Sequence, residues 1–125
     1  MESGFKSLRV YKQSFTITME IFELSKSFPK EEKYSLTDQI RRSSRSVCAN
    51  IAEAYRKRIY PNHFVSKMSD ADAECSETIV LLDFALECDY IDEASYGRLT
   101  ESYSKVGKMI GHMINNPDKF TPRSR

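Results

Sequence analysis

Gln39–Arg58 reads QIRRSSRSVCANIAEAYRKR, and two patterns run through it. Ile40, Val47, Ile51 and Ala54, with Leu36 just upstream, recur at the three- and four-residue steps of one helical face. Advancing about 100° per residue, Arg41, Arg45 and Arg56 cluster within about 60° on the opposite side, and Arg42 lies about 100° from Arg41. Ala49 and Ala52 fall inside that basic stripe and would let a partner come close. Lys57 and Arg58 follow at the helix end, where the macrodipole favours positive charge. The stretch therefore predicts a helix with one face in a core and another free for a partner.

The same period extends to both sides. Upstream, Val10, Ser14, Ile17, Ile21, Leu24 and Phe28 repeat with alternating steps of four and three, and Pro29 stops the run. Ser35 is the expected N-cap of the second helix, with Asp38 in its first turn. Downstream, Pro61 suits the first turn of a third helix, whose stripe is Phe64, Met68, Ala71, Cys75, Ile79, Leu82 and Leu86. After Asp89–Asp92, Tyr96, Leu99, Tyr103, Val106, Ile110 and Met113 mark a fourth, ended by Asn115-Asn116-Pro117. No segment alternates as a strand does. Four long helices with short connections predict an all-α fold, an antiparallel up-down-up-down four-helix bundle. Residues 1–116 are the expected bundle domain and 117–125 a loose tail.

With 125 residues, 40% hydrophobic and 30% charged, the chain fits one globular domain. No apolar run nears the roughly 18–20 residues that span a bilayer, and the N-terminus lacks a signal peptide's order of charge then apolar run. A cytoplasmic protein with no membrane association is expected. Cys48, Cys75 and Cys88 form no CxxC pair, which points to reduced, structural cysteines. The net charge of +1 hides an asymmetry: Leu36–Tyr60 carries six basic and two acidic residues, Pro61–Lys105 three basic and ten acidic.

Two helices hold more apolar surface than one core needs. Leu8, Tyr11, Phe15, Met19 and Phe22 form a second face on the first helix, and Val80, Leu81, Phe84 and Cys88 a second face on the third. Self-association is the favoured explanation, with Phe15, Met19, Phe22, Val80, Leu81 and Phe84 as the oligomer interface. For the basic residues three readings stay open: phosphate binding, pairing with carboxylates of another helix or subunit, or plain solvation.

Enzymatic chemistry finds no foothold. His63 and His112 lack the Glu three residues earlier that di-iron bundles use. On a helix Asp72 points away from Asp70 and Glu74, so that triplet reads as a solvated face rather than a metal site. Glycine-rich phosphate loops are missing, and Gly107-x-x-x-Gly111 reads as a small-residue face for close helix packing. No catalytic residue, metal or cofactor is expected.

Phe28-Pro29-Lys30-Glu31-Glu32, Gln39-Ile40-Arg41-Arg42 and Asn50-Ile51-Ala52-Glu53, within a match covering nearly the whole chain, resemble the bacterial four-helix-bundle family linked to intervening sequences in large-subunit ribosomal RNA genes, often labelled ribosomal protein. The resemblance implies a homopentameric, barrel-like ring. It also links the chain, distantly, to the accessory protein of diversity-generating retroelements, which binds RNA and a reverse transcriptase. By that similarity Arg41, Arg42 and Arg45 become better candidates for nucleic-acid contact, and with Arg56, Lys57 and Arg58 they are the candidate nucleic-acid-binding residues, with RNA or DNA as partner. The expected function is a noncatalytic, homo-oligomeric nucleic-acid-binding protein. The alternative is an assembly scaffold whose basic helix pairs with acidic helices of neighbouring subunits. Cys48 and Ala54 stand where the family usually has Pro and Gly, which should straighten the second helix.

Overall fold

Proline and aspartate set the helix boundaries. The computed structural model describes residues 4–122. It places α1 at Arg9–Ser25, α2 at Leu36–Arg56, α3 at Pro61–Glu87 and α4 at Glu93–Asn115. Short 3-10 turns at Gly4–Ser7, Lys30–Glu32 and Pro117–Lys119 flank or join them, and the described residues contain no strand. Pro61 occupies the first turn of α3, where a missing N–H costs nothing. Asp92 caps α4 by accepting from Ser95 N at 2.7 Å. α2 runs unbroken through Cys48 and Ala54, both buried.

Each helix packs on its neighbours in chain order, α1 on α2, α2 on α3, α3 on α4, and α4 closes back on α1. This is an all-α, up-down-up-down bundle with α1 and α3 on the diagonal. Its core is built of Val10, Ile17, Ile21, Ile40, Val47, Ile51, Phe64, Met68, Leu82, Leu99, Val106 and Ile110.

The middle of that core is polar. Thr18 Oγ1 donates to Ser14 O at 2.8 Å or to Ser44 O at 3.0 Å, and lies 3.6 Å from Cys48 Sγ. Across α2, Thr78 Oγ1 pairs with Ser43 Oγ at 2.8 Å and reaches Glu74 O at the same distance. Ser14 Oγ and Tyr103 OH are buried without a hydrogen-bond partner. Burial drives the Tyr103 phenol strongly upward in pKa, and the thiols of Cys75 and Cys48 add to this. Burial likewise pushes the Cys75 thiol up to about 12, so this cysteine is an unreactive core residue.

This layer corrects the expected stripe of α3. The buried positions run Phe64, Met68, Ala71, Cys75, Thr78, Leu82, Ala85, with Leu81 beside them, whereas Ile79 and Leu86 are half-buried. Thr78 takes the core position because α2 offers it a hydroxyl, and the helix is turned so that Leu81 faces inward.

Phe28 packs on Tyr90, ring centroids 5.6 Å apart, joining the α1–α2 turn to the α3–α4 turn. Ser35 makes no side-chain cap of its own; it donates to Glu32 Oε1 at 2.6 Å, and that carboxylate oxygen accepts from Leu36 N at 3.3 Å. Glu32 is therefore the anion at the start of α2. At the opposite end the first residues of the expected tail fold back, and Phe120 stacks on buried Phe64 at 5.9 Å. Positions 123–125 lie outside the described residues. Gly107 and Gly111 do not mark a close helix approach: a Cβ on Gly107 would meet nothing nearer than Asp72 Oδ1 at 4.0 Å, and on Gly111 nothing within 4 Å.

Candidate nucleic-acid interface and assembly surfaces

The arginine stripe of α2 divides in three. Arg41 leans toward α1, donates from Nε to Ser25 Oγ at 2.7 Å, and sets its guanidinium 4.7 Å from the centre of the Phe22 ring. Arg45 approaches the same ring at 5.8 Å and Lys26 at 5.0 Å. Three cations thus gather on one half-buried phenylalanine, each drawn by the negative face of the ring. Lys26 also meets Glu23 at 3.1 Å. On the other flank Arg42 faces α3 and sits 3.7 Å from Asp38, an exposed pair of little energetic weight. Arg45, Ala49, Ala52 and Arg56 lie between these flanks along the outer side of α2.

The basic run at the end of α2 divides again. Arg58 folds back, with its guanidinium 3.9 Å from the Tyr55 ring centre and Nη1 donating to Tyr55 O at 2.9 Å. Arg58 is thereby a cap on α2, half-buried and occupied. Arg56 and Lys57 are exposed. Among the described residues Arg42 is the one nominated cation with a carboxylate within 4 Å.

The six expected interface residues also part company. Phe15, Met19, Val80 and Phe84 are exposed, at 50%, 44%, 49% and 58%. Leu81 is 7% exposed and belongs to the core, and Phe22 is covered by its own subunit's arginines. Phe15 and Met19 lie on α1 and Val80 and Phe84 on α3, so the exposed apolar side chains form two separate patches. Glu77 and Glu87, exposed and three residues from Val80 and Phe84, give the second patch an acidic rim. The first patch adjoins Arg41 and Arg45.

Three exposed apolar side chains lie outside the residues singled out from sequence, Tyr34 before α2 and Ile59 and Tyr60 in the α2–α3 turn. For the last two a signal was present: Ile-Tyr directly before proline lies outside any helical stripe and directly after Arg-Lys-Arg.

Among the described residues no three His, Cys, Asp or Glu side chains converge as metal ligands, and no helix is long and apolar enough to cross a membrane. A hollow of about 510 Å³ lies between the start of α1 and the end of α4, lined by Leu8, Val10, Met109, Met113 and Phe120 with Arg9, Lys108 and His112 at its edge.

Fold and surface together define an all-α bundle with a basic helix face and two apolar patches. The chain belongs to the 23S rRNA-intervening sequence protein family, whose model matches residues 6–112. It is similar to a crystal structure of a protein of unknown function from the S23 ribosomal protein family of Bacteroides thetaiotaomicron. That likeness has 27% sequence identity and a TM-score of 0.76, and covers 84% of this chain and 97% of the other. No curated protein matches the chain.

Proposed function

We propose that this chain is a noncatalytic, cytoplasmic, homo-oligomeric protein that binds nucleic acid, RNA in preference, through the outer face of α2. The observation that carries the reading is the line of Arg45, Arg56 and Lys57, exposed and with no carboxylate in reach among the described residues. Alanines 49 and 52 between them leave room for a phosphate backbone. At about 1.5 Å per residue, Arg45 and Arg56 stand about 16 Å apart along the helix, a span that several phosphates can bridge. The family's description refers to a segment of ribosomal RNA, which supports RNA as the ligand class.

The test is an anisotropy titration of structured RNA at several salt concentrations, with wild type and an Arg45→Gln, Arg56→Gln, Lys57→Gln variant. Binding carried by phosphates falls steeply with salt, and each lost contact reduces the log–log slope by about 0.7–0.9. Failure of wild type to bind at low salt, or an unchanged slope in the variant, refutes the reading.

A specific observation supports a second role for Arg41 and Arg45. The α1 patch joins apolar Phe15 and Met19 to positive charge, and the separate α3 patch joins Val80 and Phe84 to Glu77 and Glu87. Each copy would dock its α1 side on the α3 side of the next. Contacts between two different surfaces build rings when the rotation closes; the homopentamer implied by the resemblance is one such ring. An Arg41→Gln, Arg45→Gln variant that dissociates in light scattering supports this seam, and one that stays assembled rejects it.

A further inference from the structure

We propose that the α2–α3 corner is a stacking site for unpaired nucleotides, with Tyr60 as the platform and Arg56 and Lys57 on the flanking phosphates. This rests on the nucleic-acid reading above and narrows it to single strands. Tyr60 and Ile59 are 58% and 55% exposed at a turn that is otherwise tightly built. Tyr60 N donates to Lys57 O at 2.9 Å, Tyr60 O accepts from Phe64 N at 3.0 Å, and Pro61 fixes the next residue. Below the turn, Phe64 is fully buried. The backbone under Tyr60 is thus held, and the ring presents itself to solvent with little left to order on binding. His63 lies against one part of it, ring centres 5.7 Å apart at 51°.

The charges around the corner favour an anionic strand. Arg56 and Lys57 have no carboxylate within ion-pair distance among the described residues, while Lys67 meets Glu53 at 3.1 Å and Asp70 at 3.9 Å. Lys57 also borders a hollow of about 180 Å³ with Asn62, His63, Ser66 and Lys67. An exposed aromatic ring beside free cations and a small recess is what a single-strand groove combines. Bases inside a duplex are already stacked on one another, so a protruding ring gains contact only with unpaired ones.

The experiment compares a labelled oligouridylate with a labelled RNA duplex, using wild type, Tyr60→Ala and Tyr60→Trp. Circular dichroism and thermal melting serve as folding checks. Losing one stacked base should weaken oligouridylate binding by Tyr60→Ala roughly 5- to 150-fold while duplex binding is unchanged. The chain contains no tryptophan, so Tyr60→Trp introduces a lone tryptophan whose fluorescence should be quenched when the single strand binds. Equal oligouridylate affinity in wild type and Tyr60→Ala overturns the stacking site but leaves the phosphate reading standing if Arg56→Gln, Lys57→Gln weakens both ligands. Absence of binding to either ligand by wild type overturns both. A change in sedimentation of Tyr60→Ala would make the corner a contact between copies and likewise overturn the proposal.

Discussion

Tyr90 donates its hydroxyl to Glu32 Oε2 at 2.9 Å, tying together two turns 58 residues apart in sequence. The Glu32 carboxyl is held below its ordinary pKa, first by the Ser35 hydroxyl and then by Tyr90. Tyr90 is pushed up to about 12, first by its bond to Glu32 and then by burial. The lowered Glu32 value adds stability that is complete above about 4.5 and fades as pH falls through the folded value. The raised Tyr90 value adds stability that is complete below 10.0 and fades between there and about 12. Melting temperatures across pH should therefore show a shallower acid limb for Glu32→Gln and a shallower alkaline limb for Tyr90→Phe.

Tyr103 buries a hydroxyl that finds no partner. An unsatisfied buried hydroxyl costs about 1–3 kcal/mol, and Tyr103→Phe removes it while keeping the ring. The variant should be more stable by about 1 kcal/mol in urea unfolding, with an unchanged dependence on denaturant. A loss of stability would show that the hydroxyl has a partner in solution.

Asp89 ends α3 in the left-handed region, φ 61°. Tyr90 N reaches back to Ala85 O at 2.8 Å and Asp89 N to Leu86 O at 3.0 Å, the paired bonds of a Schellman cap, which glycine suits best. Asp89→Gly should stabilise the fold by about 0.5–1 kcal/mol, read as a rise of about 2–5 °C in Tm.

The placement of the two apolar patches on different helices makes a mixing experiment decisive. Phe15→Glu spoils one patch of each copy and Phe84→Glu the other, so each variant alone should be monomeric and the two spoiled patches repel one another. Mixed, the two have one intact pair of surfaces and should form a heterodimer and nothing larger, visible in sedimentation. If one patch instead paired with itself, at least one variant alone would still dimerise.

The four helices were legible because prolines at 29, 61 and 117 and a three-four apolar rhythm are local signals, although α1 ends at Ser25, short of the Phe28 that its rhythm includes. What escaped were choices made between helices. A hydropathy rhythm selects Ile79 over Thr78, but Ser43 on α2 supplies the hydroxyl that brings Thr78 inside and carries Leu81 with it. Ser35 was a reasonable cap by residue type, but the Glu32 carboxylate takes the Leu36 N–H. The site followed the same rule. A wheel drawn for α2 alone sets Arg41 and Arg45 facing solvent, and only packing reveals Phe22 of α1 beneath them. By sequence Arg58 is one more basic residue at the end of α2, and only the turn that folds it onto Tyr55 takes it out of the basic face.

Ser43 and Ser44 are neighbours in the chain, yet one meets Thr78 of α3 and the other, through its carbonyl, Thr18 of α1. Apolar stripes by themselves are served equally well by a bundle wound clockwise or anticlockwise from helix to helix, since methyl groups do not distinguish the two. Directional bonds from adjacent residues do, because reversing the winding would turn Ser43 toward α1 and Ser44 toward α3 and break both contacts. The handedness of the fold is thus written in its few hydroxyls rather than in its oil.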